Sequence, residues 1–176
     1  DPRAAALDGL RVALRSVTVQ DLRAAARLWN WTVKGAAKAE IIEYLMEHLG
    51  NAPEMAAAFR AFSATQQQVA IWLAHLGRSD DQGEMLRVAI SLAEGRELSK
   101  TTIARALSEL RQRLIVLADS YQGLYIPAAH REWLPLSDAS AMVYRGQPTP
   151  GGRPNVLPAL GLDQLDQHVE HLLALV

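Results

Sequence analysis

The feature that most constrains this chain lies between Ser99 and Pro127, where the period of the apolar residues changes. Ile103, Ala106, Leu107, Leu110 and Leu114 follow at three- and four-residue steps, which gathers side chains on one helical face. Ser99 just before them is a helix-capping residue type. Leu114-Ile115-Val116-Leu117 is then a short β-rich run, Asp119-Ser120-Tyr121-Gln122-Gly123 is turn-rich, and Leu124-Tyr125-Ile126 is a second β run closed by Pro127. The pattern predicts a helix feeding directly into a two-stranded hairpin. Two further helices precede it. Ser63-Ala64-Thr65-Gln66 is a capping-box pattern that opens a helix bearing Val69, Ile71, Trp72 and Leu76 and ending at Gly77. After the polar loop Arg78-Ser79-Asp80-Asp81-Gln82-Gly83, residues Met85, Leu86, Ala89, Ile90, Leu92 and Ala93 mark another, stopped by Gly95.

The N-terminal third is helical too. Leu7, Leu10 and Leu14 form a stripe within Ala4–Leu14, with Gly9 as its weak point. Thr18 with Asp21 is a second capping pattern, opening a helix that carries Leu22, Ala25, Ala26 and Trp29 inward and Arg23 and Arg27 outward. Trp31-Thr32-Val33-Lys34-Gly35 reads as an extended connector. From about Ala37 a further helix presents Ile41, Ile42, Leu45 and Leu49, until Gly50-Asn51-Ala52-Pro53 stops it. Residues 54–62 are a short helix or connector packing Phe59 and Phe62. Beyond Pro135 the pattern loosens into a linker, Arg145 to Pro154, and a last amphipathic helix at about Leu162–Leu175. Ala and Leu recur throughout, and both favour helix. The expected fold class is mainly α, in three parts: 1–52, 53–135, and 136–176 as linker plus C-terminal helix.

Two resemblances attach to these patterns. Thr18-Val19-Gln20-Asp21-Leu22 with Lys38-Ala39-Glu40-Ile41-Ile42-Glu43-Tyr44-Leu45 is similar to the SAP motif and to the related N-terminal helical module of transcription terminator Rho. Tyr44 stands where SAP sequences generally carry Arg. The resemblance implies DNA contact through Lys34, Gly35 and Lys38, whose backbone N–H groups and cations at a helix start suit a phosphate. A helical hairpin used for packing is the alternative. Leu98-Ser99-Lys100-Thr101-Thr102-Ile103-Ala104-Arg105-Ala106-Leu107-Ser108-Glu109-Leu110 resembles the recognition helix of winged helix-turn-helix regulators, with Arg113-Leu114 where those usually place Gly. Tyr125-Ile126-Pro127 before His130-Arg131-Glu132-Trp133-Leu134 also resembles the winged module beside the motor of XPB-type helicases. That resemblance implies an accessory domain of a larger machine, with a helicase or other protein as partner.

Charge and composition bound the function. Eighteen Lys and Arg against 19 Asp and Glu give a net charge of −1, which lacks the strong basic balance typical of nucleic-acid binders. Its distribution matters more. Residues 1–45 carry +2, 46–99 carry −3, 100–131 carry +3 and 132–176 carry −3. Positive charge therefore collects in the SAP-like segment and in the helix after Ser99 with its hairpin, and local contacts govern binding to phosphate. On that helix Lys100, Thr101, Arg105, Ser108, Arg111 and Gln112 lie off the apolar stripe and suit phosphates and base edges. A solvated polar face explains them equally well, and the Glu109 carboxylate opposes phosphate. Tyr121 at the hairpin tip is the aromatic expected outside; core packing accounts for Trp29, Trp31, Trp72 and Trp133.

Enzyme signatures are missing: there is no phosphate-binding Gly-rich loop and no dinucleotide fingerprint. His168 and His171, near Asp166 and Glu170, could share a metal by spacing, but a solvated helix face accounts for them better. Asp80, Asp81 and Glu84 read as a turn and a first-turn acid. The absence of Cys excludes disulfides and thiol catalysis and fits a reducing compartment. No apolar run approaches the ~20 residues of a membrane span and no signal peptide is visible, which predicts a cytoplasmic protein. With Asp1 in place of Met, the expectation is a processed chain or a piece of a longer one. The expectation is a protein without catalysis, cofactor or metal, that binds double-stranded DNA. The alternative is a winged-helix adaptor without DNA affinity, and the last helix offers a homodimer contact.

Overall fold

The computed structural model describes residues 1–120 and 123–136. Tyr121, the Pro-rich segment 145–154, the helix expected at about 162–175 and the His168/His171 pair lie outside the described residues. Among those described, seven α-helices precede a two-stranded antiparallel sheet: α1 (Pro2–Leu14), α2 (Val19–Leu28), α3 (Lys38–Leu49), α4 (Ala52–Arg60), α5 (Ala64–Leu76), α6 (Glu84–Glu94), α7 (Lys100–Gln112), β1 (Leu117–Asp119) and β2 (Gly123–Tyr125). A 3-10 turn, Ala128–Glu132, follows.

Most helix starts are where side-chain capping puts them. Thr18 Oγ1 accepts from Asp21 N at 3.1 Å, Ser63 Oγ from Gln66 N at 3.2 Å and Ser99 Oγ from Thr102 N at 3.1 Å. Each cap satisfies an N–H that a helix start otherwise leaves without a partner, contributing about 1 kcal/mol. Asn51 does the same for α4 through Glu54 N, so the stop after α3 is also the start of a nine-residue helix.

The apolar stripes then pack into one core. Leu10 and Leu14 of α1, Leu22 of α2, Ile41 and Leu45 of α3, and Ile103 and Leu107 of α7 are all buried in a single cluster. Burying each such side chain contributes about 1.5–3 kcal/mol. α1 packs against the 3-10 turn and α2 against α7, so the division at 52/53 runs through a shared core. An aromatic ladder crosses the same line. Trp29 stacks on Trp31 (centroids 5.2 Å) and on Phe62 (5.7 Å), and Trp31 stacks on His48 (4.5 Å). Phe62 meets Phe59, Phe59 meets Trp133, and Trp133 meets His130. Trp133 is buried, while Trp29, Trp31 and Trp72 are half-buried against the core.

The hairpin starts later than the sequence predicts. Leu114 to Val116 is a buried turn, and β1 begins only at Leu117, pairing Leu117 with Tyr125 and Asp119 with Gly123. The cause is how α7 ends. Leu114 takes φ +62°, and Ile115 N bonds back to Leu110 O at 3.0 Å, the Schellman arrangement usually built on Gly. A left-handed Leu costs roughly 1–2 kcal/mol. Burial of its side chain offsets this, as does the bond from His130 Nε2 to its carbonyl at 3.0 Å. α2 ends the same way, with Asn30 at φ +58° and Trp31 N on Ala26 O at 2.9 Å. The two ends are joined: Trp29 Nε1–H donates to Arg113 O at 2.9 Å.

The hairpin has a third partner. Ser79, between α5 and α6, exchanges two backbone hydrogen bonds with Leu124, at 2.9 and 2.7 Å. Gly83, at the end of that loop, has φ +66°, and a Cβ there would lie 2.4 Å from Ile103 Cγ2. The loop is thereby pressed onto α7.

Candidate nucleic-acid interface

α7 separates its two faces cleanly. Ile103, Ala106, Leu107 and Leu110 are buried, while Lys100, Thr101, Arg105, Ser108, Arg111 and Gln112 are all exposed. Thr101, Arg105, Ser108 and Gln112 recur at four-, three- and four-residue steps and so share one stripe. None of Lys100, Arg105 or Arg111 makes an ion pair with a described carboxylate. Glu109, the acid that opposes phosphate, is held at its edge by Gln66 Nε2 of α5, 2.5 Å away. The N-terminal end of α7 is more mixed. Lys100 shares a shallow depression with Glu84, Arg87 and Glu97. The Arg87 hydrogen bond, with Lys100 adding its charge, holds the Glu84 carboxyl below its ordinary range.

The C-terminal half of α7 is one wall of a cleft of about 820 Å³. Ser108, Arg111 and Gln112 stand on that wall beside Leu117 and Ala118 of β1. The opposite wall is the α1–α2 turn and α2, with Ser16, Thr18, Asp21, Arg27 and Leu28. Arg27 comes from the first basic segment and Arg111 from the second, so the cleft joins the two. Sequence reasoning placed Arg27 on the outer face of its helix but not at a site; its place in the +2 segment was the available signal.

The loop before α3 is arranged differently from a phosphate cradle. Glu40 Oε2 accepts from Ala36 N at 3.1 Å and from Ala37 N at 3.2 Å. The protein's own carboxylate therefore occupies the N–H groups that an anion would use. Gly35, at φ +119°, is fitted around it, since a Cβ there would stand 2.7 Å from the same oxygen. Arg23 donates to Gly35 O at 2.9 Å, and Lys38 Nζ donates to Arg15 O, beside the cleft residue Ser16, at 2.6 Å. Of the three residues in that loop, Lys34 is the one left exposed with no bond among the described residues.

Among the described residues no cluster of His, Asp and Glu could hold a metal. No described helix is long and apolar enough to cross a membrane. No protein-family model, curated protein or solved structure matches the chain.

Proposed function

We propose that this chain is a non-catalytic double-stranded-DNA-binding module. In this reading α5, α6, α7 and the hairpin form a winged helix, α7 enters the major groove and the hairpin lies along the backbone. Of the SAP-like helices, α2 packs against α7 and α3 packs against α2. One observation carries the reading: among the described residues the outward face of α7 is exposed, its Arg105 and Arg111 make no ion pair, and α2 and β1 stand beside it across a cleft. A recognition helix needs such a free face because its inner face must hold it to its neighbours. The Ser79–Leu124 pairing supports it further by tying the hairpin to the bundle at a fixed angle beside α7.

The test is binding of a short labelled duplex in low salt. Reversing Lys100, Arg105 and Arg111 together to Glu abolishes affinity if α7 is the contact; unchanged affinity overturns the reading. If the three cations each hold one phosphate, they alone give a slope of about −2.7 in log K against log salt. Raising salt from 50 to 200 mM then weakens binding by roughly 40-fold.

A second reading, a protein-interaction adaptor or accessory part of a larger assembly, is favoured by α6. Met85 (49% exposed) and Leu92 (76% exposed) are apolar side chains in water, seven residues apart on one helix face. It predicts no duplex affinity at any salt concentration.

A further inference from the structure

We infer that α2 belongs to the same duplex-binding surface as α7, with Arg27 seated on a backbone phosphate of the strand that walls the occupied major groove. The inference rests on the duplex-binding reading above and adds a second helix, with a distinct task, to that interface.

Geometry gives the task. A helix with its side chains is about 10–12 Å across and fills a major groove about 12 Å wide. Packed helices lie about 8–10 Å apart, axis to axis. With α7 in the groove, an element one helix-width to the side falls over the groove's edge, where phosphates are within reach and base edges are not. α2 is that element, because Arg27 lines the same cleft as Ser108, Arg111 and Gln112 of α7. Its contact is therefore one that positions the protein without reading sequence.

Charge fits the same occupant. Arg27 is exposed, forms no ion pair with a described carboxylate, and faces a cleft that also holds Arg111. Two cations facing a common space repel each other until an anion lies between them. Asp21 lines the cleft as well, but its Oδ2 accepts from Thr18 Oγ1 at 2.8 Å in the first turn of α2. That position lies about 9 Å along the helix from Arg27. The offset between α2 and α7 is also fixed. Trp29, two residues past Arg27, bonds Arg113 O and is stacked between Trp31 and Phe62.

The experiment is a fluorescence-anisotropy titration of two unrelated labelled duplexes between 50 and 200 mM salt. It compares the full chain with Arg27→Ala and with Arg60→Ala, an exposed arginine outside the cleft. Arg27→Ala removes a side chain that bonds nothing described, so the fold is kept. The expected result is an equal affinity loss on both duplexes and a log K–log salt slope shallower by about 0.9. The fourfold salt step then weakens the variant about 3.5-fold less than the parent, while Arg60→Ala keeps the parent slope. If the parent binds and Arg27→Ala matches it in affinity and slope, the role of α2 is overturned and the α7 reading stands. A loss that differs between the duplexes makes Arg27 a base reader and overturns the positioning role. A parent without affinity overturns the duplex reading itself, and this one with it.

Discussion

Acid should destabilise this protein through one buried residue in particular, His130. Its imidazole is fully buried against the turn that follows α7 and against Trp133, with Nε2 bonded to Leu114 O and Nδ1 without a hydrogen-bond partner among the described residues. Burial pushes its pKa down from 6.5 to about 4, against the smaller upward pull of the Leu114 carbonyl. Between those two values the unfolded chain takes up a proton that the folded chain refuses, so stability falls as pH falls. The contribution is complete above 6.5 and is lost progressively as pH drops toward 4, at up to about 1.4 kcal/mol per pH unit. From pH 7 to pH 4.5 the loss comes to about 2 kcal/mol. Urea unfolding at the two pH values isolates it when the parent is compared with His130→Gln. That variant keeps a neutral donor near Leu114 O and does not titrate. The other histidines and the carboxylates are common to both chains and cancel. The parent should lose about 2 kcal/mol more than the variant over this interval. Equal losses, or a His130 that titrates near 6.5 in NMR of the folded chain, would refute the argument.

Two further outcomes test the packing. Trp29→Phe keeps a ring in the stack but removes the indole N–H that satisfies Arg113 O; it should cost about 1–2 kcal/mol in chemical denaturation, and a neutral result would mean that water replaces the bond. Gly83→Ala and Gly95→Ala form a matched pair, since both glycines have positive φ but only Gly83 has a neighbour, Ile103, in the way of a Cβ. Both should destabilise, Gly83→Ala by about 1–3 kcal/mol more, and equal losses in thermal melts would show that backbone conformation alone sets the cost.

What could be read from the sequence was what is written within a few residues. Thr18, Ser63 and Ser99 cap helices through bonds three residues away, and the Ile103–Leu107–Leu110 stripe repeats over a whole helix. The exposure of Lys100, Arg105 and Gln112 follows from the same stripe. Signals fail where one residue acts alone or a partner is distant. Ser79 is a strand of a single residue and has no period to detect. Leu114-Ile115-Val116 is apolar because it is a buried turn, and an apolar run of that length looks the same as a buried strand. The burial of His130 in a five-residue 3-10 turn leaves no pattern at all. At the loop before α3 the decisive residue, Glu40, was in plain view, but Ala37 in place of Ser or Thr hid the half of a capping box that Glu40 makes with the Ala37 N–H. The cleft with Arg27 requires α2 beside α7, a contact between residues 84 apart at the Trp29–Arg113 bond.

The aromatic ladder has a consequence for how the chain is made. Trp29 leaves the ribosome early, yet its acceptor Arg113 follows 84 residues later, and Trp133, which packs edge-on against Phe59, later still. At about 5–20 residues per second that separation is a wait of roughly 4–17 s. Through that interval Trp29, Trp31, His48 and Phe62 are all present to stack on one another, but the Trp29 indole N–H has no Arg113 carbonyl to bond and Phe59 has no Trp133 edge against it. The half of the ladder made first therefore depends on water for that N–H until the chain has been made past the hairpin.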